Sequence, residues 1–127
     1  MSSQRYVFNT RTALDNAVNA WIADEAAATS TYGDINTWDV SAISDFSRLF
    51  YNQTTFNSDI SNWDVSNGTE FWEMFYNADA FNQDIGSWDV SNGTSFAGMF
   101  ISADAFNQDI GSWDVSNGTE FNSMFNN

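Results

Sequence analysis

The sequence predicts an α/β repeat fold: a short leucine-rich-repeat solenoid with a parallel β-sheet and an N-terminal capping helix. Three observations predict it. The chain repeats itself every 25 residues, a period within the range of leucine-rich repeats. Each unit contains one segment of alternating apolar residues and one with helical spacing. An amphipathic stretch precedes the first unit.

Residues 1–33 are predicted to form an N-terminal arm and the capping helix. Tyr6–Phe8 is expected to be a short edge strand or a packing arm. The stretch 12–15 resembles a helix capping box, with Asp in place of the usual Glu. Apolar residues then follow at helical spacing over 14–22, so we expect a helix that fades by Ala28 and covers the open end of the repeats.

Residues 34–127 contain four 25-residue repeats, the last incomplete, and belong with the N-terminal region to one domain. In the third repeat, apolar and polar residues alternate over 88–91, which predicts a strand. Asn92-Gly93 predicts a turn, and Thr94 is expected to cap a helical turn over 94–100. The recurring aromatic columns are predicted to form the core: Trp38, Trp63, Trp88 and Trp113, with Phe46, Phe71, Phe96 and Phe121.

Composition excludes several classes of function. The chain has 127 residues with 3 Lys+Arg against 17 Asp+Glu, a net charge of −14, and neither Cys nor His. Zinc fingers, haem ligation, thiolate or imidazole catalysis and disulfides are therefore excluded. The acidic balance disfavours nucleic acid as a partner. No apolar stretch approaches the length of a membrane span, and the aromatic content predicts a packed core rather than disorder.

One motif carries a family resemblance. Ala-Phe-Asn-Gln-Asp-Ile-Gly-Ser-Trp-Asp-Val-Ser-Asn occurs at 80–92 and again at 105–117. It resembles the 25-residue FNQDIxxWDVSN repeat of BspA-like leucine-rich-repeat surface proteins, and 30–41 resembles the lead-in to that family's first repeat. The resemblance implies a leucine-rich-repeat fold, display on a cell or particle surface, and non-catalytic binding or adhesion. Neither a lipobox nor a signal peptide is visible, so no membrane anchor is predicted.

A column of aspartates, each followed two residues later by a serine, is the main candidate binding surface. Stacked carboxylates along a sheet, about 4.8 Å apart, repel one another by roughly 1 kcal/mol in water. Hydrogen bonds from the serines and the backbone, a bound calcium at Asp64, Asp89 and Asp114, or a cationic or polyhydroxylated ligand would relieve the repulsion. No calcium motif is present, so no metal or other cofactor is predicted. The candidate residues are Asp39, Asp64, Asp89, Asp114, Ser41, Ser66, Ser91 and Ser116.

Two further sets of residues have different predicted roles. A second acidic column, Asp59, Asp84 and Asp109, recurs with Asn57, Asn82 and Asn107, and we interpret both as structural hydrogen-bonding groups at the corners of the coils. Trp72 has no counterpart, because later repeats have Ala97 and Asn122 at its position. An unmatched tryptophan is expected to be partly exposed and to contact a ligand.

Four N-glycosylation sequons are candidates for modification. Three have the form Asn-Gly-Thr, where the family repeat usually has an apolar residue after Asn; the fourth is Asn-Gln-Thr. The alternative interpretation is that Asn-Gly is simply a favourable turn. The candidate residues are Asn52, Asn67, Asn92 and Asn117.

Repetition also bears on function. Every Asp candidate recurs in three or four repeats, whereas an active site needs one distinct constellation, so no enzyme is predicted. We expect a recognition or adhesion module on an extracellular, cell or virion surface, binding a protein or carbohydrate through its sheet face. The alternative is a structural protein, with or without a glycan coat, that forms head-to-tail filaments. In these, Tyr6–Phe8 and the N-terminal helix dock on the last coil of the next copy, where 113–115 would form an open edge. A longer truncated array or a self-capping last coil would also account for that edge.

Overall fold

The structure, a computed structural model, describes residues 5–125; the remaining residues of the predicted arm and last repeat, 1–4 and 126–127, lie outside that range. Regular secondary structure consists of helix α1 over Arg11–Ala23, helix α2 over Glu25–Tyr32 and a short 3-10 helix over Ile35–Thr37. The rest of the described chain forms stacked 25-residue units that we call coils: coil 1 (34–58), coil 2 (59–83), coil 3 (84–108) and coil 4 (109–125).

The prediction of a parallel β-sheet, and with it of a leucine-rich-repeat solenoid, is wrong. Residues 5–125 contain no β-strand, and β pairing is limited to isolated parallel bridges. The segment predicted as a strand lies between two tight turns, in which the amide of Trp88 donates to Ile85 and the amide of Gly93 donates to Val90. Within it, the Asp89 side chain accepts the amide of Ser91, a local bond that competes with strand pairing. The bridges are Val7–Asp39, Asp45–Glu70, Glu70–Ser95 and Ser95–Glu120.

The predicted helical turn is also wrong, because the coils hydrogen-bond to one another at that point. In coil 2, the amide of Phe71 donates to the carbonyl of Ser95 and the amide of Phe75 to the carbonyl of Met99, each at 2.9 Å. Between them Glu73 has a φ of 52°. A left-handed residue of this kind ends a right-handed helix. The segment is therefore a series of turns whose alternate amides bind the next coil.

The N-terminal helix begins and ends differently from the prediction. Thr10, and not Thr12, caps α1, because its hydroxyl accepts the amide of Ala13 at 3.1 Å. The helix ends at Ala23 and does not continue to Ala28. Asp24 begins α2 by accepting the amide of Ala27 at 3.1 Å, so the predicted single helix is two.

Helix α1 packs against coil 1. It buries one apolar face that includes Leu14, Val18 and Trp21. The indole nitrogen of Trp21 donates to the hydroxyl of Ser58 at 3.0 Å. The first end of the stack is thus covered by an apolar helix face.

The arm pairs with coil 1 of its own chain. The amide of Phe8 donates to the carbonyl of Asp39 at 3.0 Å, and the amide of Asp39 donates to Tyr6 at 2.9 Å. Phe8 is 1% exposed and lies 5.2 Å from Trp38 between ring centroids. The side chains of Tyr6 and Val7 remain exposed.

Aromatic columns form the core of the stack. Phe71 stacks on Phe46 and on Phe96 with centroids 5.5 Å apart in both pairs. Phe75 stacks in the same way on Phe50 at 5.5 Å and on Phe100 at 5.6 Å. This spacing is wider than the ~4.8 Å of paired strands, and it suits offset ring stacking. The columns therefore hold the coils together in the absence of a sheet.

Coil 4 is open at its outer side. Phe121 and Phe125 are 40% and 58% exposed, whereas the equivalent Phe96 and Phe100 are buried. The amides of Phe96 and Phe100 donate to coil 4, but the amides of Phe121 and Phe125 have no acceptor among the described residues. Coil 4 therefore presents aromatic rings and unpaired amide groups.

Candidate binding surface

The aspartate row, as we call Asp39, Asp64, Asp89 and Asp114, is fixed by local hydrogen bonds. In each, carboxylate Oδ1 accepts the amide of the serine two residues later at 3.0 Å. The hydroxyls of Ser41, Ser66 and Ser91 add a second bond of 2.6 Å, while Ser116 contributes its amide only. Three of the aspartates are exposed, and Asp39 is half-buried beside the arm.

These bonds keep the row charged. The hydroxyl and amide of Ser91 lower the pKa of Asp89 below its ordinary value, against a small opposing effect of the Asp114 charge. The hydroxyl and amide of Ser41 lower the pKa of Asp39 in the same way. Carboxylate Oδ2 of each row member makes no hydrogen bond to any residue in the range 5–125. The row is thus a line of ionised carboxylates, each with one oxygen held and one available.

The second acidic column has a structural role in the fold. Oδ1 of Asp59, Asp84 and Asp109 accepts the backbone amide two residues later at 2.8–2.9 Å. Asp34 makes the same bond with Asn36, and sequence reasoning missed it although it lies 25 residues before Asp59.

An asparagine ladder runs beside that column. The side-chain oxygen of Asn57 accepts the amide of Asn82 at 2.8 Å, and the side-chain oxygen of Asn82 accepts the amide of Asn107 at 2.9 Å. Gln83 and Gln108 add bonds to the same asparagines. These side chains join successive coils at one corner of the stack.

The sequon asparagines also join coils. Nδ2 of Asn67, Asn92 and Asn117 donates to the carbonyl of a serine in the preceding coil, at 2.6–2.7 Å. All three side chains are nonetheless exposed, as is Asn52, whose oxygen accepts a bond from Asn77. The sequons thus lie on the surface, and three of their four asparagines have the nitrogen that would carry a glycan in a coil-to-coil bond.

Trp72 is half-exposed and lies in a cluster on a different segment from the aspartate row. The guanidinium carbon of Arg48 is 5.2 Å from the Trp72 ring centroid and 4.9 Å from that of Tyr51. Arg48 also forms a 2.7 Å ion pair with Glu73. Within the described residues no hydrogen bond or ion pair joins this cluster to the aspartate row, so the predicted single face is two surfaces. Sequence reasoning missed Arg48 and Glu73, which lie 25 residues apart at equivalent positions.

Two structural searches bear on metal binding and on membranes. Over residues 5–125, no three acidic side chains come close enough together to share a metal ion, and this includes Asp64, Asp89 and Asp114. Neither helix in that range has the length and apolar character needed to cross a bilayer.

Comparison with known proteins identifies one family. The family described as "Mycoplasma protein of unknown function, DUF285" matches residues 23–127, from the end of α1 through the last coil. No curated protein and no solved structure matches the chain.

Proposed function

The chain belongs to the DUF285 family of mycoplasma proteins, and we propose that it is a non-catalytic recognition module that adheres to a basic protein surface through its aspartate row. The module is displayed at a cell or virion surface. The resemblance of its repeats to those of BspA-like surface proteins supports that location.

The observation that carries this proposal is the fixed geometry of the row. Each carboxylate is held at Oδ1 by its serine, so its free oxygen is already oriented before a partner arrives. Binding groups ordered in advance lose little conformational entropy on association. The net charge of −14 also attracts basic partners over long range and accelerates their encounter.

The repetition of the row supports a non-catalytic role. The same Asp-x-Ser hydrogen bonds recur from coil to coil, at Asp39, Asp64 and Asp89. Catalysis depends on one constellation of groups with distinct roles. A line of equivalent carboxylates is better suited to an extended partner with several positive charges.

The test compares two triple variants of equal charge. Asp64→Asn, Asp89→Asn and Asp114→Asn remove three row charges, and asparagine Oδ1 still accepts the serine bonds. Glu25→Gln, Asp79→Asn and Asp104→Asn remove three other exposed carboxylates. Both triples change the net charge from −14 to −14 + 3 = −11. Binding to immobilised polylysine is measured by surface plasmon resonance at about 0.15 M salt.

We expect the row triple to bind polylysine about tenfold more weakly than the unmodified chain, and the scattered triple to stay within about twofold. Equal loss in both triples would mean that only net charge matters, and it would overturn the proposal. Immobilised dextran serves as the carbohydrate arm. Binding to dextran in place of polylysine would also overturn it.

A second candidate function, end-to-end self-assembly, is favoured by the open side of coil 4. Phe121 and Phe125 are exposed there, and their amides lack acceptors among the described residues. In a filament, this side would bind the outer surface of the arm and α1 of the next copy, where Tyr6 and Val7 are exposed. Such a head-to-tail contact does not close, so it builds a fibre.

Sedimentation velocity at rising protein concentration tests self-assembly. The proposal predicts species larger than the 14.2 kDa monomer, and their loss in a Phe121→Ser, Phe125→Ser double variant. A monomer at every concentration would reject it. A Tyr51→Ser, Tyr76→Ser double variant, which alters a stacked pair at the side of the coils, is the matched control.

A further inference from the structure

A pocket beside Trp72 interrupts the regular surface of the stack. It has a volume of about 270 Å³ and opens to solvent. It spans three coils, and we call it the Trp72 pocket. Its lining residues are Glu70, Trp72, Glu73, Ser95, Ala97 and Glu120.

The aromatic wall of the pocket exists because the repeat varies at one position. Trp72 is followed one coil later by Ala97, whose small side chain leaves space beside the indole. On the side of the preceding coil, the guanidinium of Arg48 covers the Trp72 ring at 5.2 Å. A tryptophan face attracts cations through its quadrupole. The indole thus already binds one cation of this chain and has open space on the other side.

The acidic walls belong to the bridged column Asp45–Glu70–Ser95–Glu120. In coil 1, Arg11 of helix α1 occupies this column, with Nη1 at 3.5 Å from Asp45 Oδ1 and at 3.1 Å from its carbonyl oxygen. Glu70 and Glu120 line the pocket further along, and neither forms an ion pair with another described residue. A basic side chain therefore already fits this column in coil 1, while two carboxylates beside the pocket have no cation.

Ser95 supplies a separate polar group. It lies between Glu70 and Glu120 in the column, lines the pocket and is only 3% exposed. No residue in the described range forms a hydrogen bond with its hydroxyl, unlike Ser47 in coil 1, which donates to Asp45 at 2.6 Å. Buried hydroxyls normally have a partner. An unpartnered one beneath an open pocket indicates a ligand that hydrogen-bonds there.

We infer that the Trp72 pocket binds a lysine side chain of the basic partner. The ammonium lies between the carboxylates of Glu70 and Glu120 and donates to the Ser95 hydroxyl, and the aliphatic stem packs on the free face of Trp72. Charge complementarity selects the cation, and the aromatic wall selects a side chain over an inorganic ion. This inference rests on the proposed function, because it names the residue by which the basic partner is gripped.

The test titrates the full chain with a peptide of four lysines alternating with glycines, and with the same peptide acetylated on every lysine. Binding is followed by calorimetry and by backbone amide shifts in NMR. Trp72→Ala takes the residue found in coil 3, so folding is retained. The double variant Glu70→Gln, Glu120→Gln is matched in net charge by Asp79→Asn, Asp104→Asn, and Asp64→Asn, Asp89→Asn reports on the aspartate row.

We expect amide shifts at 95–98 with the lysine peptide and none with the acetylated one. Trp72→Ala and the Glu70/Glu120 double variant should each weaken binding about fivefold, relative to the Asp79/Asp104 control. If only the Asp64/Asp89 variant weakens binding, the pocket is rejected and the aspartate row stands. If the peptide does not bind the unmodified chain, both are rejected.

Discussion

The indole nitrogen of Trp88 in coil 3 donates a 3.1 Å hydrogen bond to the carbonyl oxygen of Ile60 in coil 2. The bond is buried, and the same carbonyl also accepts the amide of Trp63 within its own coil. Equivalent indole bonds join Trp63 to Ile35 and Trp113 to Ile85. Each tryptophan thereby fixes the register of its coil on the coil before it.

Replacing Trp88 with Phe tests this register bond. Phe keeps an aromatic ring but removes the donor and leaves a small void, so unfolding free energy should fall by about 1–2 kcal/mol. Urea denaturation followed by circular dichroism measures it. Trp72→Phe is the control, because its ring is half-exposed and its indole nitrogen has no partner in the described chain; its effect should stay within about 0.5 kcal/mol. Equal losses in both variants would contradict a register role.

Gly93 is required by packing and not by a turn conformation. A Cβ at Gly93 would lie 2.4 Å from Cζ of Phe96, a ring buried between the coils on either side. Gly93→Ala should therefore destabilise the fold by about 1–3 kcal/mol, measured as a shift of the urea midpoint. Gly118→Ala makes the same contact with Phe121, but that ring is exposed and free to move, so its effect should be smaller. A larger loss for Gly118→Ala would contradict the open end of coil 4.

The Ser91 bonds make stability depend on acid pH. They lower the pKa of Asp89 in the folded chain, so their contribution is present above the ordinary aspartate pKa and is lost as the pH falls through the lowered value. Ser91→Ala should raise the pKa of Asp89 towards its ordinary value and move acid unfolding to higher pH. NMR titration of the Asp89 carboxyl carbon measures this. Ser112→Ala, which removes a hydroxyl bonded to Gly86, should leave the Asp89 pKa unchanged.

Calcium removal should leave the melting temperature unchanged. The row carboxylates each use one oxygen for a serine amide, and no three acidic groups in the range 5–125 converge on a common point. Differential scanning calorimetry with excess calcium and then with excess EDTA measures the effect. A melting temperature that falls with EDTA would indicate a calcium site in the aspartate row.

The core can be predicted from the sequence because aromatic columns at a fixed step have no other stable arrangement than stacking. Secondary structure cannot, since the same patterns have two physical origins. The alternation of Trp88, Asp89, Val90 and Ser91 indicates a strand, but the Asp89 side chain forms a local turn with Ser91 instead. The helical spacing of Phe96 and Phe100 likewise occurs in a turn, with the residue between them, Gly98, at a φ of 62°.

The candidate sites divide in the same way. The aspartate row is visible in the sequence because its members recur at one step and bond to residues two positions away. The Trp72 pocket is not, because it needs Glu70, Ser95 and Glu120 to lie side by side at sequence distances set by the stacking. Only the mismatch of Trp72 with Ala97 marks its place in advance.

Hydrogen exchange of the backbone amides tests the coil-to-coil hydrogen bonding most directly, and both candidate surfaces depend on it. Slow exchange is expected at Phe71 and Phe96, whose amides donate to the next coil at 2.9 and 2.8 Å. Fast exchange is expected at Asp89, whose amide has no acceptor among the described residues, and at Phe121 on the open side of coil 4. Protection of Asp89 together with fast exchange at Phe71 and Phe96 would mean that the coils pair through a strand at 88–91, and it would contradict the stack described above.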